Sequence, residues 1–376
     1  MERSPVALRI VFHHKEENTL SEEASLQRID SESFAPSATS PLPNSSHLPD
    51  GIFGAPEPPH SSLWSQILIG PSGLRAGWGL LLFIALFFSL AAGIGFVSHK
   101  IHPPAKPATQ VVKVGGVVEQ KVKSSLIGES VSFAIVAIAT WIMSRVERRP
   151  VGAYGFGGTR KIGPFLAGLA WGVAFLSALV GVLWKTGLLT FDTRLLFGAS
   201  ALRYGAIWAV GFVLVGLFEE YLLRGYLQFT LSRGLASLYN MLFDTIHGEA
   251  LGFWTAALIL SFLFGLVHET NPGESPIGLL SAGLIGVVFC LTLWRTGSLW
   301  WAVGFHAAWD WAQSVLFGVA DSGTMVQGHL FATHPLGKVM LSGGATGPEG
   351  SIFILPLLVV LTLVILWTVP ARRTTA

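Results

Sequence analysis

The stretch Val213-Leu214-Val215-Gly216-Leu217-Phe218-Glu219-Glu220-Tyr221-Leu222-Leu223-Arg224 places three charged residues at the end of an otherwise apolar run. An acidic or basic side chain at the centre of a membrane helix costs about 2.5–3.5 kcal/mol on an insertion scale. Three together would strain insertion unless they pair or meet water. Glu220 and Arg224 are four residues apart, acid first, so on a helix they share a face and can form an ion pair. Glu219 is turned roughly 100° away and is left out of that bridge. A buried carboxylate without a counter-charge favours its neutral form, which suits a general base working near neutrality.

The whole chain belongs to the same solvent as this stretch. Of its 376 residues, 51% are hydrophobic and only 12% are charged, and the mean hydropathy is +0.58. Soluble domains carry about 25% charged residues. Apolar runs lie at 74–98, 126–144, 162–185, 204–225, 251–268, 277–294, 298–318 and 351–369. They predict an all-α polytopic membrane protein with about eight transmembrane helices, and no strand-like period of two persists. Residues 225–233 lack proline and continue the fourth helix to about residue 233, with 234–250 as an amphipathic or looped insertion. The net charge of +2 leaves no nucleic-acid footprint. The single cysteine, Cys290, excludes an intrachain disulfide and reads as a small buried residue.

Four segments follow. Residues 1–70 form a Ser- and Pro-rich N-terminal tail without a signal peptide, predicted disordered and cytosolic. Residues 71–200 hold the first transmembrane helices, 201–320 the catalytic core, and 321–376 a Gly-rich extramembrane loop and the last helix. Arg145, Arg148, Arg149, Arg160, Lys161, Arg233, Arg295, Arg372 and Arg373 fall on one side if both termini are cytosolic. The lysines of the first loop, Lys100 to Lys123, oppose that orientation. The expected location is the plasma membrane.

Two further clusters interrupt apolar helices. Phe264-Gly265-Leu266-Val267-His268 ends a run with no charge since residue 251, and His306-Ala307-Ala308-Trp309-Asp310 puts a histidine and an acid four apart on one face. Asp310 can orient the imidazole, or join it in holding a metal or a water. Glu219, His268, His306 and Asp310 on three helices can bind a divalent metal or polarise a water directly. No HExxH pair and no Ser–His or Cys–His nucleophile pair is present.

The series EEYLLRG, FGLVH and HAAWD resembles the EExxxR, FxxxH and HxxxN/D motifs of the CAAX protease and bacteriocin-processing family (CPBP, or Abi). Arg295-Thr296-Gly297-Ser298-Leu299-Trp300 also looks like that family, and the resemblance covers about residues 200–320. It implies a CAAX-protease-like helical bundle and an intramembrane endopeptidase with a glutamate-activated water. Glu219 would then be the base and His268 would orient or share the water. His306 and Asp310 would stabilise the oxyanion or complete a metal site, and Glu220 with Arg224 would support the base. Asp310 stands where many members have Asn, and Leu223 where Phe is frequent. An ionised Asp310 cannot donate to an oxyanion, which moves it toward orienting His306 or binding metal. The family's usual description implies Zn2+, while a metal-independent Glu/His pair fits the residues equally. The expected partners are the bilayer and a membrane protein or lipidated peptide substrate. A non-catalytic scaffold or immunity protein on the same fold is the alternative; a transporter would show inverted repeats, and none is visible.

Overall fold

The computed structural model describes residues 67–70, 73–101, 113–114, 117–158 and 160–371. The tail expected over 1–70 thus lies almost wholly outside the described residues, as do Lys106, Arg372 and Arg373. Eight helices correspond one for one to the eight apolar runs. They are α1 (Ala76–Ile101), α2 (Val122–Val146), α3 (Ile162–Lys185), α4 (Gly198–Phe243), α5 (Gly248–Val267), α6 (Pro276–Thr296), α7 (Trp300–Trp311) and α8 (Ile354–Thr368). Among the described residues six helices, α1 to α6, are long and apolar enough to cross a membrane. The chain is a polytopic, helical membrane protein.

The seventh run is a different kind of element. Its helix has 12 residues, roughly 18 Å at 1.5 Å per residue, too short for the ~30 Å hydrocarbon core. A five-residue π-helical stretch, Ala312–Leu316, extends it. Trp301 to Phe305, Ala307, Ala308 and Asp310 are all buried, and a helix that is apolar all round belongs inside a bundle. Gly168 and Gly172 of α3 and Gly304 of α7 make the closest approach in this interior. A Cβ at any of the three would overlap backbone atoms of the facing helix. This small-xxx-small spacing lets two helix backbones nest in lipid, and it fixes the depth at which His306 and Asp310 sit. Phe175, Phe289, Trp301, Phe305 and Leu358 close the core around it.

Helix α4 runs further than the sequence suggests. It is α-helical over Gly198–Glu220, passes through a π-helical stretch at Tyr221–Leu227, and resumes from Gln228 to Phe243. Asp244, in the left-handed region at φ 44°, ends it. Of the amphipathic or looped insertion expected over 234–250, the part up to Phe243 is therefore helix. Its polar side turns to the antiparallel α5: Gln228 Nε2 donates to the Phe253 carbonyl at 2.9 Å, and the Tyr239 and Thr255 hydroxyls share a 3.0 Å bond. Helix α6 has the punctuation its sequence announces. Ser275 accepts the Gly278 N–H at 3.0 Å with Pro276 following, and Gly297, at φ 67°, closes the end.

Short strands, which hydropathy gave no reason to expect, join the loops. Ile69–Gly70 (β1) pairs with Gly73–Leu74 (β2). Lys113–Val114 (β3), Val117–Gln120 (β4) and Thr324–Val326 (β6) form a second sheet, and Leu189–Arg194 (β5) pairs with Phe331–Pro335 (β7). The parallel register Val118↔Thr324 to Gln120↔Val326 ties the Gly-rich segment 319–350 to the start of α2. That segment carries two short strands and two short helical turns, Val339–Ser342 and Pro348–Gly350.

Candidate active site

Glu219 and Glu220 are the last two α-helical residues of α4 before its π stretch. A π turn within an α-helix often marks a functional position, and here it carries Arg224. Glu220 and Arg224 are 0% and 1% exposed, and their ion pair closes at 3.1 Å between Oε1 and Nη1. The guanidinium carbon lies 4.3 Å from the Phe264 ring centre, in cation–π contact.

The same Glu220 oxygen stands 3.0 Å from His306 Nδ1. A carboxylate can only accept, so Nδ1–H donates and Nε2 points away from α4's buried pair. His306 Nε2 is 3.6 Å from Glu219 Oε2 and 3.5 Å from Asp310 Oδ2, ion-pair contacts longer than a direct hydrogen bond. Glu219 Oε2 has no hydrogen-bond partner among the described residues. Asp310 does face His306, as its spacing predicts, but the group that holds the imidazole is Glu220, through its 3.0 Å bond. His268 follows α5 directly and its Nδ1 lies 2.7 Å from the Phe264 carbonyl oxygen. The carbonyl can only accept, so the free lone pair of His268 is on Nε2.

Glu219, His268, His306 and Asp310 line one cavity of about 370 Å³. Glu220 and Arg224 lie behind its wall. Three carboxyls that the sequence reading did not single out also face it: Glu129 from α2, and Asp321 and Glu349 from the Gly-rich segment. Burial, and then the neighbouring Asp310 and Glu349, push the Asp321 carboxyl well above its ordinary range. Burial also raises the Glu349 carboxyl, although its Oε1 accepts from Ser322 N and Oγ at 2.6 and 2.8 Å. Glu129 was legible, being the one charge within the apolar run 126–144. Asp321 and Glu349 sit in a segment without periodicity, where no pattern could have found them.

Among the described residues, no three His, Cys, Asp or Glu side chains converge in an arrangement that would hold a metal ion. One nitrogen of each imidazole is already committed, to Glu220 and to the Phe264 carbonyl. Nε2 of each stays open, but among the described residues the side chains do not come together as a zinc donor set.

A buried ion pair that holds His306, with Glu219 and His268 lining the same cavity, defines the class: a helical membrane protein with a polar centre inside its bundle. Residues 206–312 match the family model described as Type II CAAX prenyl endopeptidase Rce1-like. The matched stretch contains all three motifs, EEYLLRG, FGLVH and HAAWD. No curated protein and no solved structure matches the chain.

Proposed function

We propose that the protein is an intramembrane endopeptidase that hydrolyses a peptide bond of a membrane-associated protein with a water activated by Glu219 and His268. The observation that carries this reading is the Glu219 carboxylate, unpartnered at Oε2 and 3.6 Å from His306 Nε2, at the wall of a cavity large enough for a peptide segment.

His268 Nε2 and Glu219 hold the water between them, and Glu219 takes its proton. The oxygen bonds to the scissile carbonyl carbon and the carbonyl electrons move onto oxygen. His306, in its doubly protonated form, is flanked by Glu219, Glu220 and Asp310, and its Nε2–H donates to that oxyanion. The carbonyl re-forms, the C–N bond breaks, and the proton on Glu219 passes to the leaving nitrogen. Glu220 keeps the imidazole in place through Nδ1, and Arg224 holds Glu220 from the other side through the 3.1 Å ion pair. Asp310 balances the imidazolium. Ile285, Phe289, Ile354 and Leu358 make one side of the cavity apolar, which suits a lipid-bearing substrate. The prenylated CAAX class named in the matched family is therefore the first to test.

The test is cleavage of a panel of quenched peptides, prenylated and unmodified, by protein purified in detergent, compared with Glu219→Gln and His268→Ala. Cleavage by the wild type alone supports the reading. Equal cleavage by all three would sink it.

A further inference from the structure

We propose that the segment cleaved by this protein carries a basic side chain next to the scissile bond, and that Glu129 on α2 is the specificity-determining residue that reads it; this rests on the endopeptidase reading above. No lysine or arginine is found among the described residues lining the cavity, while Glu129, Glu219, Asp310, Asp321 and Glu349 all line it. Four of those five are already engaged. Glu219 and Asp310 contact His306. Asp321 Oδ2 accepts from the Ser314 hydroxyl at 3.0 Å, and Glu349 accepts twice from Ser322. Glu129 makes no hydrogen bond and no ion pair among the described residues, yet it faces the same space as Glu219 and lies within electrostatic range of it.

Its surroundings are built for polar contact. Ser125, Glu129 and Ser132 recur at intervals of four and three residues, so they form one stripe on a single face of α2, and all three line the cavity. The stripe continues outward through Gln120, whose Oε1 accepts from Ser125 at 3.3 Å and whose Nε2 donates to Thr324 Oγ1 at 3.2 Å. A carboxylate in an apolar span is costly to insert, and this one has no structural partner to recover that cost. A substrate ammonium or guanidinium would supply the partner, while an acidic side chain beside Glu129 would meet a second carboxyl. Helix α2 lies outside the matched residues 206–312, so this recognition belongs to the part of the chain the match does not describe.

The experiment uses the full chain in proteoliposomes and three peptides built on a sequence the wild type cleaves. They differ only in Lys, Gln or Glu, placed in turn at each position flanking the cleaved bond. The wild type is expected to rank Lys over Gln over Glu in kcat/KM, by about tenfold per step at low salt and less at high salt. Glu129→Gln is expected to collapse the Lys-to-Glu ratio to within about threefold, and Glu129→Lys to invert it. A flat wild-type profile overturns the proposal whether or not either variant folds, and so does an unchanged ranking in a folded variant. A flat profile with cleavage still abolished by Glu219→Gln would remove Glu129 as the reader and leave the endopeptidase reading standing.

Discussion

Replacing Glu220 by alanine separates the supporting pair from the reacting groups, and its size can be worked from the structure. Glu220 is 0% exposed and one of its oxygens serves both Arg224 at 3.1 Å and His306 at 3.0 Å. Truncation leaves a guanidinium, itself 1% exposed, without a counter-charge. Breaking a buried pair from one side costs about 3–5 kcal/mol. The Phe264 ring 4.3 Å from Arg224 remains as a weaker partner, worth about 0.5–2 kcal/mol, so the lower end, about 3 kcal/mol, is expected. Glu220→Ala with Arg224→Leu removes both charges, and the pair of changes should cost less than the sum by about 1–3 kcal/mol. Reversible unfolding in mixed detergent micelles measures all four proteins. A Glu220→Ala protein within about 0.5 kcal/mol of wild type, or strict additivity in the cycle, would refute the assignment of this pair as the frame of the site.

Further outcomes follow from other parts of the bundle. Gly172→Leu places a side chain against Phe305 and Ala308 of α7 and should lower stability by about 1–3 kcal/mol or more and disturb His306. Gly181→Leu, on the same helix with open space around its Cβ, should be nearly neutral in the same unfolding assay. Asp321 has its folded pKa raised by burial, so the folded state holds a proton that the unfolded chain gives up above about pH 4. Its contribution is full below that value and is lost as pH rises through the folded pKa. Asp321→Asn should therefore flatten the decline of thermal stability toward higher pH, and an unchanged profile would contradict this. Treatment with a strong zinc chelator should leave peptide cleavage within about twofold of the untreated rate if Glu219 and His268 act on water directly.

Six of the helices were legible because each is an apolar run of bilayer length, and the three motifs because charge in such runs is rare. Glu220–Arg224 was readable from spacing alone, since helix geometry puts residues four apart in reach. The partner of His306 was not. Its own-helix neighbour Asp310 is the local choice, but Glu220 wins because α3's glycines bring α7 to the level where α4 can reach its imidazole. Such a contact depends on how two helices sit against each other, which no one-dimensional pattern records. The end of α4 was missed for a related reason. Its last turns are amphipathic and packed on α5, so hydropathy falls while the helix continues. Asp321 reaches the cavity beside the pairing of β6 with β4, a tertiary link between segments two hundred residues apart, and Glu349 through its bonds with Ser322 and Ser281.

The most direct test of the central claim is the turnover of Glu219→Gln on a peptide whose cleavage site has been mapped with the wild type. Glutamine keeps the volume and an acceptor oxygen but cannot take a proton. Loss of a general base predicts a fall in kcat of about 10²–10⁴, with the unfolding midpoint at or above that of wild type. A kcat within tenfold of wild type in a folded Glu219→Gln protein would contradict the account.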